Sequence, residues 1–319
     1  MVLDEVRILE ALRGTGVQGE ALEEGSRLVD HWIGEVAELD ARDETLAVEA
    51  GFYVEVAPLT FVVGTQDRIF RSHLTGKVTG AEWKTTKHET KFWNKEGWFE
   101  SISNSHQLTT YAIGLAYGSF IPTPRNEFPP VVFYEPPEEM DILVRAVSKS
   151  YPPQIWRKRE GDLVTVSKER MNALVSTYRN VGEAVRGMRG TARVPWAVTG
   201  IHCTNMFRKE CFFLNQCRKG EVLTPPLSFD RLGQNFSPGS QKVIQYLKES
   251  GRVTEGNWRD VVVLSASTLG DWFQCSEKWR REEARLESEG EANFEQGIGS
   301  VFHAGVGSMY EQMMENKGE

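Results

Sequence analysis

The sequence predicts an α/β protein in which a mixed β-sheet is flanked by helices. Apolar residues recur at helical spacing in residues 3–13 and 20–38. Three later segments have the apolar or alternating character of strands, namely 46–56, 61–67 and 78–84. A helical pattern returns at 105–118. Helices and strands therefore follow one another in the manner of a mixed α/β core.

The elements of the first half of the chain follow from local pattern. Gly14, Gly16 and Gly19 separate the first two helices. After the helix at 105–118 we expect a Pro-rich loop, two strands and one long helix. These elements fall at 119–130, near 131–135, at 141–147 and at 166–187.

The second half is predicted to begin with a cysteine-rich segment at 201–217 and a polar linker with a short helix near 241–249. A helix that leads to Cys275 and a further helix that carries His303 follow the linker. We therefore divide the chain into a core at 1–219, a linker at 220–261 and a helical segment at 262–319.

Composition limits the function classes. The chain has 319 residues, of which 40% are hydrophobic, and a net charge of −8. No apolar run approaches the ~18–20 residues of a membrane span, and residues 1–5 lack a signal segment. We expect a cytoplasmic protein, in the host cell if the gene is from a phage. The net charge does not indicate nucleic-acid binding. A local basic patch interleaved with aromatic residues is nevertheless a candidate nucleic-acid-binding surface, and the alternative is a solvated charged loop. It comprises Lys84, Lys87, Lys91 and Lys95 with Trp83, Phe92, Trp93 and Trp98.

Two carboxylates and one lysine stand in strand-like segments. Asp67 ends the apolar run 61–67, and Glu82 lies 15 positions further on, two residues before Lys84. Residues i and i+2 of a strand share a face, so Glu82 and Lys84 point the same way. If the two strands are neighbours, both acids come together. Two carboxylates beside an ammonium suit a divalent cation and hydrolysis of a phosphodiester.

These residues carry a family resemblance. Segments 64–69 and 82–87 resemble the PD-(D/E)XK nuclease signature in its RecB-like form. Gln107-x3-Tyr111 is similar to the Q-x-x-x-Y motif of that family, and Gly299-x3-His303 to its G-x-x-x-H motif. The resemblance implies a restriction-endonuclease-like core and a DNA substrate that is single-stranded or has a free end. Trp83, Trp93 and Trp98 are then candidates for stacking on bases, or are core residues.

The resemblance also implies roles for individual residues. Asp67, Glu82, His303 and the backbone carbonyl of Trp83 would bind Mg²⁺ or Mn²⁺. Lys84 would orient the attacking water, or deprotonate it if its pKa is lowered. Gln107 and Tyr111 would position the nucleophile or a DNA phosphate. Glu49, on the preceding strand, is a candidate for a supporting role, with a structural role favoured.

The four cysteines admit three interpretations. Cys203, Cys211 and Cys217 are clustered, and Cys275 stands apart. Four thiolates hold a 4Fe–4S cluster or a zinc ion, or remain ordinary buried thiols. The resemblance favours iron–sulfur, because RecB-like nucleases of the AddB and phage type place one cysteine before the catalytic core and three after it.

The order of the motifs is rotated relative to that family. The helices with Cys275 and His303 open the domain in RecB-like nucleases but close this chain. Either the chain is circularly permuted and 262–319 completes its own site, or this segment is the start of another copy, which completes a site in a different chain or is truncated. We favour permutation, because every motif then occurs once.

The leading functional hypothesis is a metal-dependent DNA nuclease, and more specifically an exonuclease, of recombination, repair or phage replication. The alternatives are a catalytically silent DNA-end-binding module with an iron–sulfur cluster and a partner subunit of a helicase–nuclease complex. The chain has no G-x-x-x-x-G-K-[ST] loop, so any helicase or other motor would be a separate protein.

Overall fold

A computed structural model describes residues 3–86, 102–122, 135–155, 163–189, 229–234, 236–274 and 294–316. Within these ranges it shows an α/β protein with a mixed, open sheet of eight strands flanked by helices, which confirms the predicted class at that level. The strands are β1 Glu44–Ala57, β2 Thr60–Arg71, β3 Val78–Thr86, β4 Ser119–Phe120, β5 Glu139–Ser148, β6 Gln154–Ile155, β7 Leu163–Ser167 and β8 Val262–Leu264. The helices are α1 Glu5–Gly14, α2 Glu20–Asp40, α3 His106–Tyr117, α4 Lys168–Arg189, α5 Pro238–Glu249, α6 Ala266–Gln274 and α7 Phe294–Glu315, with a 3₁₀ turn at Phe229–Arg231.

The sheet has the order β4-β1-β2-β3-β5-β6, with β7 also paired to β5 and β8 also paired to β2. Strands β2 and β3 are antiparallel, whereas β3 pairs with β5 and β2 with β8 in parallel. A parallel pair needs a crossover between its strands, and α3 lies in the chain between β3 and β5. This crossover sets α3, which carries Gln107 and Tyr111, beside β3 and β5.

The first and last helices of the described chain pack together. Helix α1 begins at Glu5 and is capped by Asp4, whose side chain accepts a hydrogen bond from the backbone N–H of Val6 (2.9 Å). Helix α7 lies against α2 at glycine contacts, since a Cβ atom on Gly25 would lie 2.5 Å from the Cβ of Val301. The core between them contains buried apolar side chains, among them Leu28, Val29, Trp32, Phe302 and Val306.

The chain divides into two compact units. The first comprises Met1–Ala50, Thr65–Met171 and Gly290–Glu319, and the second Gly51–Gly64 and Asn172–Glu289. Helix α7 therefore belongs to the same unit as α1, α2 and β3. Every described residue that the sequence proposes for the metal centre lies in the first unit.

Most helices agree with the sequence pattern, and the exceptions are local. The helix expected at 166–187 begins at Lys168, because the alternating Val164-Thr165-Val166 forms β7, which pairs with β5. The short helix expected near 241–249 is α5, which begins with Ser237 as its cap. The strand expected near 131–135 lies largely outside the described residues. Within the described part, no helix is both long and apolar enough to cross a membrane.

Candidate metal centre

Neighbouring strands bring the two predicted carboxylates together. Strands β2 and β3 pair up to Arg68 opposite Ala81, and Asp67 and Glu82 come next on their strands, close enough for the charge of Glu82 to act on Asp67. Both are buried, with 7% and 2% exposure. One oxygen of Asp67, Oδ2, accepts a hydrogen bond from the backbone N–H of Trp83 (2.7 Å). This bond fixes the carboxylate and leaves its Oδ1 for another partner.

A third acid and a histidine reach the same place. Ligand atoms of Glu49, Asp67 and His303 all lie within 4.8 Å of one another. The Nδ1 atom of His303 is 3.6 Å from Oδ1 of Asp67. His303 is on α7 and Glu49 on β1, so three separate elements supply the group. The last described helix thus places a histidine beside two acids of its own chain.

Glu49 has a backbone conformation that is unusual for a non-glycine residue. Its φ of 49° lies in the left-handed region, although it stands inside strand β1. Such a residue costs ~1–3 kcal/mol, and strain of this kind is concentrated at functional sites. Sequence reasoning alone predicts a structural role for Glu49, with a supporting role at the site as the alternative. The available signal was a single acid inside the apolar run Leu46-Ala47-Val48-Glu49-Ala50.

Helix α3 supplies side chains that form a hydrogen-bond network with Glu82. Gln107 donates from Nε2 to Oε1 of Glu82 (2.9 Å) and to the hydroxyl of Tyr111 (2.7 Å). The ammonium of Lys84 donates to Oε1 of Gln107 (3.0 Å) and forms an ion pair with Glu82. Ser105 caps α3. Gln107 and Tyr111 are four residues apart and so occupy one side of the helix.

The second oxygen of Glu82 is unsatisfied. Among the described residues, Oε2 of Glu82 is buried and has no hydrogen-bond partner. Leaving a buried acceptor without a partner costs ~1–3 kcal/mol, and more for a charged group. Buried polar groups that lack a partner call for a physical explanation, and a bound ion is one of them.

The electrostatics of Asp67 indicate a missing positive charge. Burial raises the pKa of Asp67 well above its ordinary value, and the charges of Glu82 and Glu49 raise it further. The Trp83 hydrogen bond and the Lys84 charge lower it, but they do not compensate. A carboxyl group in this state gains most from a nearby cation.

His303 is electrically suited to be a ligand. Burial lowers its pKa, and the charge of Lys84 lowers it too, whereas Glu82 and a hydrogen bond with the Trp83 backbone oppose the shift. The imidazole is therefore neutral at neutral pH, so its contact with Asp67 is not an ion pair. A neutral imidazole is the form that binds metals. A third of its side chain remains exposed.

The structure contradicts a lowered pKa for Lys84. Burial lowers the pKa of Lys84, but the Glu82 charge, the Glu82 hydrogen bond and the Asp67 charge outweigh it and the net shift is upward. Lys84 is therefore protonated at neutral pH in the metal-free protein, which favours the orienting role over the role of a base. Burial, with Glu82 and Asp67, also raises the pKa of Tyr111 well above its ordinary value, which keeps its hydroxyl protonated.

Trp83 is a core residue. Its side chain is 1% exposed and stacks on Tyr310, so it is not available to a nucleobase. This excludes one of the three stacking candidates. Its backbone is nevertheless at the centre, because the N–H contacts Asp67 and His303 hydrogen-bonds to the Trp83 backbone.

The glycines of the two motifs differ in what they require. A Cβ atom on Gly64 would lie 2.6 Å from the ring of Phe52, so this position needs glycine. A Cβ atom on Gly299 would make only an ordinary contact, 3.7 Å from the Thr85 hydroxyl. The structure gives no steric reason for a glycine at 299.

Several predicted residues lie outside the described part of the chain. They are the four cysteines Cys203, Cys211, Cys217 and Cys275, and the patch residues Lys87, Lys91, Phe92, Trp93, Lys95 and Trp98. The iron–sulfur and zinc interpretations and the basic patch beyond Lys84 stay predictions.

The described residues fit a divalent cation. When ionised, Glu49, Asp67 and Glu82 carry three negative charges and Lys84 one positive charge, so a net charge of minus two remains, which one divalent cation neutralises. Carboxylate oxygens with one imidazole are a donor set for Mg²⁺ or Mn²⁺. Comparison of the chain with family models, curated proteins and solved structures finds no match.

Proposed function

We propose that this protein is a divalent-metal-dependent nuclease that hydrolyses phosphodiester bonds in DNA, built on a restriction-endonuclease-like core. The observation that supports it most directly is the buried Glu82, whose Oε2 has no partner among the described residues, in a pocket of acids with a neutral His303. Five other buried side-chain atoms of the described residues also lack a hydrogen-bond partner, but among these six Oε2 of Glu82 is the one that belongs to a carboxylate beside other acids. A cation would both satisfy it and relieve the repulsion on Asp67.

The ligands would come from four places in the chain. Oδ1 of Asp67, Oε2 of Glu82, the carbonyl of Trp83 and the imidazole of His303 are the candidates, with Glu49 at the exposed edge. When bound, Mg²⁺ or Mn²⁺ supplies a Lewis acid for the phosphate and an activator of water.

Lys84 and the α3 residues would act on the substrate. A protonated Lys84 offers its ammonium to the charge that develops on the phosphate, and such preorganised charge is worth ~10²–10³ in rate. Gln107 holds Lys84 and Glu82 at fixed separation, since its amide bonds to both. The protonated Tyr111 hydroxyl accepts from the same amide and orients it. The chain thus places a fixed cation beside the carboxylates.

The finer parts of the proposal come from the sequence resemblance. They are action on single-stranded DNA or on free ends, exonuclease activity, cooperation with a helicase or a recombination protein, and a structural 4Fe–4S cluster on the four cysteines. The geometry of the described site supports phosphodiester chemistry in general.

The test is cleavage of end-labelled single- and double-stranded DNA with Mg²⁺, Mn²⁺ or EDTA, run with Glu82→Gln. This variant keeps the shape of the side chain and removes the charge. Glu138→Gln is the matched control, because Glu138 is exposed and pairs with Lys168 at the surface. Mn²⁺ binding is measured on the same proteins by titration calorimetry.

We expect metal-dependent degradation by the wild type and by Glu138→Gln, and loss of both cleavage and Mn²⁺ binding in Glu82→Gln. Cleavage that persists in Glu82→Gln refutes the assigned site. Mn²⁺ binding without cleavage by the wild type favours the silent DNA-end-binding module. Absence of both rejects the metal centre.

A further inference from the structure

One buried aromatic ring touches the residues that follow both central carboxylates. The ring of Tyr310 stacks on Trp83, with centroids 4.9 Å apart and planes 13° apart. The guanidinium carbon of Arg68 lies 4.2 Å from the centroid of the same ring. Trp83 directly follows Glu82, and Arg68 directly follows Asp67. Neighbouring residues on a strand move together, so the position of this ring is linked to both acids.

The same ring belongs to the helix that carries the histidine. Tyr310 is seven residues after His303 on α7, which is almost two turns, or ~10 Å along one side of a helix. The Trp83 ring also lies 6.1 Å from the His303 ring. The Trp83 ring therefore packs against α7 between His303 and Tyr310.

The hydroxyl of Tyr310 is anchored in a charged cluster. It donates a hydrogen bond to Asp40, which is 2% exposed. Asp40 also forms ion pairs with Arg145 (2.6 Å) and Arg68 (3.2 Å), and Arg68 donates to the hydroxyl of Thr45 (2.9 Å). These bonds fix the ring in its own plane, while the stacking partners fix it across that plane.

We propose that Tyr310 is a positioning residue for the metal centre. Its ring sets the spacing between α7 and strands β2 and β3, and so holds His303 at binding distance from Asp67 and from the Trp83 backbone. This inference rests on the proposed metal centre. A smaller side chain would let α7 settle towards the sheet and move His303 out of register with the acids.

Positioning and mere core packing give different results in a double-mutant cycle. If Tyr310 acts through His303, the effect of its replacement on metal affinity disappears once the imidazole is removed. If it only stabilises the core, its replacement lowers stability and leaves the affinity of the folded protein unchanged. Coupling between two sites is what such a cycle isolates.

The experiment measures Mn²⁺ affinity by titration calorimetry on the full chain, for Tyr310→Phe, Tyr310→Leu, His303→Ala and the double variant Tyr310→Leu/His303→Ala. Phe keeps both ring contacts and loses only the bond to Asp40, so its affinity stays within about threefold of wild type while its stability falls. Tyr310→Leu lowers the Mn²⁺ affinity about tenfold or more, which is the range for residues that orient metal ligands. In the His303→Ala background, Leu changes the affinity by less than about threefold.

Tyr178→Leu is the control. Tyr178 is as buried as Tyr310, at 0% exposure, but it lies in the second unit. We expect it to lower the melting temperature and to leave Mn²⁺ affinity unchanged. If Tyr310→Leu does not fold, Tyr310→Met fills more of the space and takes its place, with the same expected loss.

The outcomes separate the two proposals. A wild type that binds no Mn²⁺ refutes the metal centre itself. A wild type that binds Mn²⁺, with a folded Tyr310→Leu or Tyr310→Met that binds equally well, overturns the positioning role alone. So does an affinity loss that is undiminished in the His303→Ala background.

Discussion

Replacing Asp67 by Asn should stabilise the protein when no metal is present. The side chain keeps its shape, and its carbonyl can still accept the hydrogen bond from the Trp83 N–H. What disappears is a buried negative charge that faces Glu82 and Glu49. If Asp67 served only to stabilise the fold, its replacement by Asn would lower the free energy of unfolding instead.

The magnitude follows from the geometry. Oxygens of Glu49 and Asp67 lie within 4.8 Å of each other. Two unit charges at that separation repel by about 3.5 kcal/mol at an effective dielectric constant of ~20, and by about 0.9 kcal/mol in bulk water. Since Glu49 is exposed and Asp67 is not, we expect the free energy of unfolding to rise by about 1–3 kcal/mol in Asp67→Asn.

The pH dependence gives the sign a second test. Burial, Glu82 and Glu49 raise the pKa of Asp67 in the folded state above its unfolded value. The contribution of Asp67 to stability is then fully present below about pH 4, and it falls by about 1.4 kcal/mol per pH unit until the pH passes the raised pKa. Because Asn does not titrate, the difference in unfolding free energy between Asp67→Asn and the wild type increases as the pH rises.

Asp40→Asn is a matched control with the opposite sign. Burial alone would raise the pKa of Asp40, but the charges of Arg145 and Arg68 outweigh burial and lower it. Its stabilisation is present above the ordinary Asp pKa and is lost as the pH falls through the lowered one. Removing this charge leaves the buried Arg68 and the partly exposed Arg145 without their carboxylate, which costs about 3–5 kcal/mol at neutral pH.

The assay is urea unfolding in EDTA from pH 4 to pH 8, repeated with Mn²⁺. At pH 7.5 without metal we expect the free energy of unfolding to be highest for Asp67→Asn, intermediate for the wild type and lowest for Asp40→Asn. With free Mn²⁺ at 100 times its Kd, the wild type gains about 2.7 kcal/mol and Asp67→Asn gains little, so the stability advantage of the variant shrinks by about that amount and is reversed if it was smaller. An Asp67→Asn protein that is less stable than wild type in EDTA, or a gap that does not change with pH, refutes the reasoning.

Three further predictions concern the site and its frame. Lys84→Met should bind Mn²⁺ severalfold more tightly, since it removes a positive charge, but cleave at least ~100-fold more slowly; equal cleavage would remove Lys84 from the chemistry. Gly25→Ala should lower the unfolding free energy by about 1–3 kcal/mol, because its methyl group meets Val301. The control Gly34→Ala on the same helix meets nothing within 4 Å and should raise the unfolding free energy by about 0.4–1 kcal/mol. The urea midpoints of the two variants measure both effects. Cys275→Ser should release iron from the purified protein, and an unchanged iron content would reject its place in the cluster.

The local elements could be predicted because their signals are local. The helix over 20–38 and the strand that carries Glu82 follow from spacing of apolar residues within each segment, and the structure has α2 and β3 there. The i, i+2 relation of Glu82 and Lys84 likewise needs only strand geometry, and both side chains meet Gln107.

The long-range part of the site could not be read in the same way. That β8 pairs in parallel with β2, 200 residues away, depends on tertiary packing and not on any local pattern. Glu49 enters the centre through a left-handed backbone, which no propensity for a strand residue predicts. The pKa of Lys84 depends on a sum of burial and two carboxylates, and only coordinates can weigh these terms.

Trp83 shows how one pattern can support two interpretations. An aromatic residue next to a predicted site suits base stacking, and it suits a core equally. Side chains alternate along a strand, so a residue between Glu82 and Lys84 faces away from them. This rule alone, applied to the printed sequence, places the Trp83 ring on the opposite face, where it meets Tyr310.

Two charged clusters in the same unit differ in how their charge is balanced. Asp40 has two arginines and a tyrosine hydroxyl as partners, and its pKa is lowered. Asp67 and Glu82 have one lysine, and the pKa of Asp67 is raised while an oxygen of Glu82 lacks a described partner. Burial is nearly equal in the two clusters, so burial does not explain the contrast. In the first cluster the arginines balance the charge of Asp40. The second lacks positive charge at the point where three elements of the fold converge, and it is there that a cation would contribute stability and chemistry together.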